Sequence, residues 1–456
     1  MKKVLWILLI NCSLLLSQNK QILYNFAELP QTLLINPGAE VSHDVHVGIP
    51  FTSQISFIGG FTGFSAYDLF ADDGININQK IQRTIASLDK TEFVSINQQL
   101  EIVNVGFRLP NSDFLSFGFY EEFDMLLKIP KDLVDLFYEG NTVLNRAYRI
   151  NKLSGSGELQ GVFHAGLSRK FNDRWIFGVR AKLYSSAFHI STKQNAGNLV
   201  TTFGTNNTYK HQLNQVDALV QSSGIMLDEN EDFNAKYIQK NMLFGGSLGV
   251  GFDFGFTHHL DKNVTISGSI QDVGFVYHTK NVESYSIKGN YSVEGLNLLF
   301  DQNNPEDYWG NLQDDFEENV ILDTINEKYI SFKPLKLNGA ISYGFGERDN
   351  DCRYLTQEAN FKNHVGLHLF SRVSSVHTFI AATLFFEKRI AKNLHSKFTY
   401  TVDPFSFSNI GFGISAKLGI INAYIVADNL LSLKNVYDAK SFGLQVGANI
   451  IITNKN

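Results

Sequence analysis

Gly245-Gly246-Ser247-Leu248-Gly249-Val250-Gly251-Phe252-Asp253-Phe254-Gly255-Phe256-Thr257 alternates without a break. Leu248, Val250, Phe252, Phe254 and Phe256 fall on one face, while Ser247, Gly249, Gly251, Asp253, Gly255 and Thr257 fall on the other. A period of two is that of a β-strand. After the turn Asp261-Lys262-Asn263 the split returns, with Val264, Ile266 and Ile270 opposed to Thr265, Ser267, Ser269 and Gln271, so the two segments read as one hairpin. Strands of soluble sandwiches usually run about five or six residues, whereas this one reaches the length needed to cross a bilayer at a tilt.

Working outward, the same grammar recurs. Val103, Val105, Phe107 and Leu109 precede the turn Pro110 to Asp113, and Leu115, Phe117 and Phe119 follow it. Trp175, Phe177, Val179, Ala181 and Leu183 oppose Gly178, Arg180, Lys182 and Tyr184. Fourteen strands are expected: 46–57, 99–109, 114–122, 159–170, 174–189, 245–257, 263–271, 336–346, 363–371, 377–386, 394–402, 409–418, 420–428 and 440–452. Short turns at 110–113, 171–174, 260–263, 387–393 and 419 alternate with long insertions near 123–158, 190–241 and 272–335, the last with a short helix expected at 312–322. Short turns at one rim and long loops at the other are how outer-membrane barrels are built. The expected fold is therefore all-β, a 14-stranded antiparallel transmembrane β-barrel. It also accounts for 38 phenylalanines beside 36 glycines in 456 residues: the aromatic rings face lipid and the glycines face the lumen.

Met1-Lys2-Lys3 followed by an apolar run from Val4 to Leu16 reads as a secretory signal peptide over residues 1–17. Residues 18–44 are then an N-terminal hatch or plug, and 45–456 the barrel, exported through the periplasm to the outer membrane of a Gram-negative bacterium. Removing the signal removes Cys12 and leaves Cys352 alone, so no internal disulfide and no cysteine-based metal site is expected.

By strand register Arg108, Arg180, Lys182, Asp253, Lys397 and Lys417 face the lumen, with His164, His368 and His395 on the same side. Such a lining offers charge partners to an anionic head group; the competing expectation is that these groups pair with one another or with the plug. No catalytic motif of the Gly-x-Ser-x-Gly, phosphate-loop or dinucleotide kind stands in a suitable context, and no metal shell is complete, so neither enzyme nor cofactor is expected. A net charge of −6 in this compartment argues against nucleic acid.

Leu33-Leu34-Ile35-Asn36-Pro37-Gly38-Ala39 resembles the Asn-Pro-Ala motif in the N-terminal hatch of FadL-type outer-membrane transporters, and PorV and PorP/SprF-type secretion barrels carry similar sequence. Ser269-Ile270-Gln271-Asp272-Val273-Gly274-Phe275-Val276 and Ala427-Asp428-Asn429-Leu430 are similar to segments of a Bacteroidota outer-membrane barrel family of unknown function. Two departures stand: Gly38 replaces the hatch alanine, and the last strand lacks a terminal aromatic residue. The resemblance implies a plugged barrel carrying small hydrophobic or amphiphilic molecules past Asn36-Pro37-Gly38. The alternative it implies is a non-transporting component of a secretion, gliding or surface-assembly complex. Partners expected on this reading are outer-membrane lipid, the barrel-assembly machinery, a hydrophobic small molecule, and secretion or gliding proteins.

Overall fold

The computed structural model describes residues 21–26, 29–205, 207–225, 234–294, 316, 318–348, 361–403, 405–407, 409–430 and 439–453. The expected signal peptide, Cys12 and Cys352 lie outside them. The wall opens with a broken strand, β1 (Val45–Gly48) and β2 (Gln54–Phe61). Next come β3 (Thr91–Arg108), β4 (Phe114–Pro130), β5 (Ala147–Arg149), β6 (Ser154–Lys170), β7 (Trp175–Phe203), β8 (Tyr209–Ser223), β9 (Ser247–His259) and β10 (Val264–His278). The chain continues through β11 (Ser284–Glu294), β12 (Val320–Ile325), β13 (Tyr329–Phe332), β14 (Leu335–Arg348), β15 (Phe361–Val373) and β16 (Thr378–Ala391). It ends with β17 (Leu394–Val402), β18 (Asn409–Leu418), β19 (Ile421–Asp428) and β20 (Ser441–Ile452).

Pairing passes from the broken first strand through β3, β4, β6, β7, β9, β10 and β14. It goes on through β15 to β20, and β20 pairs back on β1 and β2. The result is a closed antiparallel barrel of fourteen strands, which leaves no bare sheet edge in hydrocarbon. Phe252 and Phe254 are about half exposed on its outside, while Asp253 between them is fully buried inside. No described helix is long and apolar enough to cross a membrane.

At the rim where β20 ends, the turns 109–113, 171–174, 260–263, 392–393 and 419–420 are short; this is the turn rim. Connections 62–90, 131–153, 204–246 and 279–334 lie at the opposite, loop rim. Two short connections, after β15 and after β17, also belong to the loop rim.

Four sequence expectations change. The strand expected over 46–57 is broken at 49–53, because Pro50 has no N–H to give the ladder; the chain bulges outward at Phe51, with φ of 61°. The bulge stays tied to the wall through Ile49 N to Ala448 O at 3.2 Å and Ala448 N to Thr52 O at 2.9 Å. The turn expected over 387–393 shrinks to Lys392-Asn393, since Glu387 faces Lys397 and Lys388 faces Ser396 across β16 and β17. The insertion 190–241 is largely strand, β7 running to Phe203 and turning back into β8, and 123–158 is strand at both ends, with β4 running to Pro130 and a helix over Lys131–Glu139 following it. β4 keeps its alternation past the expected end, with Phe123, Met125 and Leu127 on the face opposite Glu122, Asp124 and Leu126, and pairing with β3 continues along it, as Asn97 Nδ2 donating to Asp124 Oδ2 at 3.0 Å shows. With β5, β11 and β12, the outer half of β7 and β8 build a sheet beyond the wall. Of the helix expected at 312–322, Phe316, Glu318 and Asn319 are helical, Val320–Leu322 belong to β12, and 312–315 and 317 lie outside the described residues.

Candidate functional site: a plugged, charge-lined lumen

Residues 21–44, apart from 27 and 28, are described, and they lie inside the barrel. Two short helical turns, Gln21–Leu23 and Pro30–Leu34, carry them, the second opened by a proline whose fixed φ suits a first turn. Ile22, Leu23, Tyr24, Phe26, Leu29 and Ile35 form an apolar cluster with Ala340, Tyr424 and Val426 of the wall. This is the core of the molecule, and the wall makes room for it with glycine. A Cβ on Gly178 would stand 2.0 Å from the Pro37 carbonyl oxygen, and one on Gly255 would stand 2.0 Å from Asn36 Oδ1. Inward glycine at these positions leaves space that the Asn36-Pro37-Gly38 segment fills.

Hydrogen bonds fix the plug on every side. Asn36 Nδ2 donates to Phe256 O at 3.3 Å, Gly38 N to Asn36 Oδ1 at 3.0 Å, and Thr257 Oγ1 to Gly38 O at 2.8 Å. Gln31 Nε2 donates to Glu101 Oε2 and Asn449 Oδ1, both at 2.9 Å, and to Ser53 O at 3.1 Å, beside the bulge of the first strand. Ser269 Oγ donates to Ile35 O at 2.7 Å, Gln271 Nε2 to Leu34 O at 2.9 Å, and Asn25 Nδ2 to Ser267 Oγ at 2.8 Å.

The lumen-facing charges expected from register, Lys417 apart, are brought onto this plug or onto one another. Arg108 pairs with Asp44 at 3.2 Å and donates to the carbonyls of Val41 and His43, holding the end of the plug at the turn rim. Lys397 Nζ donates to Tyr24 O at 2.5 Å, and His368 stacks on the Tyr24 ring at 4.2 Å while bonding Asn338 Oδ1 at 3.0 Å. Lys417 donates to Thr453 Oγ1 at 3.3 Å, at the turn rim. Lys182 sits 2.8 Å from Asp253 and 2.6 Å from Asp272, with Arg180 3.7 Å from Asp253. His164 and His395 are buried on the inner face as well.

The segments singled out by resemblance acquire physical roles. Asp272 has φ of 62° at a bulge in β10, which turns two successive side chains, Gln271 and Asp272, into the lumen. Its own N–H donates to Asp253 Oδ1 at 2.8 Å. Gly274 lets β9 approach, since a Cβ there would stand 2.3 Å from Val250 O, and Phe275 faces outward. Asn429, φ of 59°, ends β19 and donates through Nδ2 to Ser441 O at 2.9 Å; Asp428 beside it is buried.

Sequence reasoning missed the far half of the charge ladder. From Asp272 it climbs to Lys336 at 2.9 Å and on to Glu122 at 3.4 Å, and it is flanked by the pairs Lys333–Glu158 and Arg372–Asp124. Lys336 and Arg372 stand at inward register positions that the alternation of β14 and β15 contains. Glu122 closes the expected strand 114–122 at an inward position, whereas Asp124 and Glu158 lie just beyond the expected ends of β4 and β6.

Two cavities border the plug, and a third lies beyond it toward the loop rim. Two small ones, of about 30 and 40 Å³, lie on its loop-rim side and share Glu122, Asp272 and Lys336. A larger one, of about 110 Å³, lies on its turn-rim side between Asn25, Ala39 and Glu40 of the plug and Thr257, Thr265, Ser342 and Phe385 of the wall. The inward row of β10 connects them: Gln271 lines an upper cavity, Thr265 the lower, and Ser269 and Ser267 between them carry Ile35 and Asn25 of the plug. Lys336, Asn338, Ala340 and Ser342 of β14 run alongside in register. Six residues of strand at about 3.3 Å each place the two ends about 20 Å apart.

Fold and lumen together define a membrane-spanning β-barrel closed by its own N-terminal segment. By sequence the chain belongs to the Family of unknown function (DUF5723), whose model matches residues 37–428. No curated protein matches it. Among solved structures it is similar to a FadL homologue of Pseudomonas aeruginosa, at 9% identity and TM-score 0.43 over 94% of this chain and 95% of that one. It is also similar to the toluene transporter TodX of Pseudomonas putida, at 10% identity and TM-score 0.37 over 93% of both chains. A third likeness is to the CymD monoaromatic hydrocarbon channel, at 9% and 0.41 over 93% and 94%. Likenesses this distant carry no information about cargo.

Proposed function

We propose that the protein is an outer-membrane channel for small amphiphilic molecules, held shut by residues 21–44. The observation that carries this reading is the pair of cavity regions on opposite sides of the plug, joined along β10 and β14 by small polar side chains. A molecule entering from the loop rim meets a vestibule in which Lys182 and Lys336 balance Glu122 and Asp272, suited to a polar head group rather than to a bare hydrocarbon. Its apolar part meets Tyr24, Ile35 and Phe385 further down. Passage requires the Tyr24–Ile35 stretch to yield, because Ser267 and Ser269 are occupied by plug atoms. Arg180 and Asp253 lie deeper and pair with each other, so they hold the wall and the vestibule in shape instead of meeting cargo.

Planar-bilayer conductance and uptake of a short-chain fatty amine or acid into proteoliposomes test the proposal. Replacing Tyr24 and Ile35 together by glycine removes the block while leaving the wall; uptake should rise well above that of the wild-type barrel. A double variant that folds and stays impermeable, and that co-purifies with a fixed protein partner and no lipid, would favour the accessory role. That second reading draws on the sheet built beyond the wall by β5, β7, β8, β11 and β12, which is large for a loop and carries the exposed aromatics Phe203 and Tyr209 at its tip.

A further inference from the structure

Toward the loop rim the lumen is crossed by side chains from opposite walls. β6, β7, β9, β10 and β14 separate β4 from β15 round the barrel, yet Arg372 of β15 reaches Asp124 of β4. Lys333, just before β14, reaches Glu158 of β6 in the same way. Asp124 and Glu158 face each other across β4 and β6, so their side chains start about 5 Å apart on one inner face. All four groups line the loop-rim cavity of about 30 Å³.

Each ion pair leaves one polar atom unused. Lys333 donates to Glu158 Oε2 and Arg372 Nη2 to Asp124 Oδ1, while Glu158 Oε1 and Arg372 Nε have no partner among the described residues. Both residues are only 7% exposed. One unused atom is an acceptor on an anion, the other a donor on a cation. The space beside them holds about two waters, and the neighbouring cavity of about 40 Å³, which shares Glu122, Asp272 and Lys336, continues it to Leu34 and Ile35 of the plug. Over both cavities four carboxylates stand against three lysines and one arginine, so the lining carries no net charge.

Water serves both atoms between passages of cargo, because it donates and accepts. A head group that displaces the water must do the same. A lone ammonium answers Glu158 Oε1 and leaves Arg372 Nε unmet; a lone carboxylate does the reverse, and either brings a net charge into a balanced lining. A neutral amide supplies both bonds but forgoes the Coulomb attraction that an ammonium and a carboxylate add. We propose that the loop-rim vestibule selects zwitterionic head groups, an ammonium and a carboxylate on one carbon, with Glu158 receiving the first and Arg372 the second. The inference rests on the channel reading and names its substrate class.

Calorimetric titration of the purified full-length barrel in nanodiscs, with empty nanodiscs subtracted, reads this selectivity without requiring conduction. The probes are norleucine, pentylamine, which lacks its carboxylate, hexanoic acid, which lacks its ammonium, and neutral hexanamide. Norleucine should bind about tenfold more tightly than each of the others, the worth of one bond to a charged group. Equal affinities, or no binding by any of the four, overturn the proposal. Arg372→Lys keeps a cation for Asp124 and removes Nε, so it should abolish the preference over pentylamine and keep that over hexanoic acid; Glu158→Gln should do the opposite. Heat-modifiable mobility shows that each wall has closed, and Glu158→Asp, which draws the carboxylate back, replaces a glutamine variant that does not assemble. Variants that keep the wild-type ranking overturn the assignment. Tight binding of norleucine without uptake into proteoliposomes ends the channel reading and leaves the head-group site, whereas uptake with no ranking among the probes ends the site and leaves the channel.

Discussion

Replacing Gly178 by alanine tests how the hatch is held. The new Cβ would stand 2.0 Å from the Pro37 carbonyl oxygen and 2.5 Å from Gly38 N, both backbone atoms that cannot rotate away. Relief needs the hatch to withdraw by more than 1 Å, to about the 3.2 Å of an ordinary carbon–oxygen contact. Overpacking of this kind costs about 1–3 kcal/mol. Withdrawal also strains the bonds of Asn36 Nδ2 to Phe256 O and Thr257 Oγ1 to Gly38 O, each worth about 0.5–1.5 kcal/mol net. The strain is shared between a distorted seated state and an unseated one, so a shift of about 2–4 kcal/mol toward the unseated plug is expected, or about 30- to 1000-fold in its population. Protease accessibility of residues 29–44 from the turn rim should rise by that order, while heat-modifiable mobility shows the wall still closed. Gly339→Ala is the control, since nothing lies within 4 Å of its new Cβ. If Gly178→Ala leaves plug protection at the wild-type level, the hatch is not seated by backbone contact with β7, and the account of the inward glycines fails.

Three further outcomes are expected. Phe252→Arg places a charge on the lipid face near mid-strand and should lower barrel stability by about 2–4 kcal/mol in urea-dependent folding into vesicles; no loss would mean the register is inverted. Lys182→Met leaves Asp253 and Asp272 without their shared cation and should cost about 3–5 kcal/mol, partly recovered in the double variant Lys182→Met with Asp253→Asn; equal losses in single and double variants would deny the coupling. At the turn rim, hydrogen bonds from Arg169 hold the Asp113 carboxyl below the usual carboxylate range. A carboxyl depressed in the folded state stabilises above its unfolded value, about pH 4, and the gain fades as pH falls through the lower folded value. Arg169→Gln should therefore melt below wild type at pH 7, with the gap closing toward pH 2; a gap independent of pH would assign the loss to packing.

How far the lumen is legible follows from what alternation can carry. A strict period of two assigns a side to each residue, so alternation alone places Arg180, Lys182, Asp253, His368 and Lys397 inward, and inward is where they lie. Alternation says nothing of partners. That Lys182 would meet Asp272 depends on a bulge in β10, where one residue in the left-handed region breaks the period and turns an outward position inward. Glu122, at the end of the expected strand 114–122, stands on the same inward face as Ser116 and Tyr120, so alternation contains it, whereas Glu158 lies just before the expected strand 159–170, after Ser154-Gly155-Ser156-Gly157, a stretch with no apolar face. The break at Pro50 has a sequence signal, a proline inside an expected strand, and reading the strand as continuous passes over the missing donor.

The sequence by itself determined the wall. Hydrocarbon outside and no water for the backbone leave a long, phenylalanine-coated, alternating chain one solution, a closed antiparallel barrel, and the number of such segments set its size. Only the tertiary structure decided what fills it. The plug has no periodicity of its own, because it packs by fitting glycine-lined hollows and by donating to or accepting from groups hundreds of residues away, as Gln31 does with Asn449. Contacts of that kind depend on curvature, bulges and the mutual height of fourteen strands, quantities that a local pattern of residues does not contain.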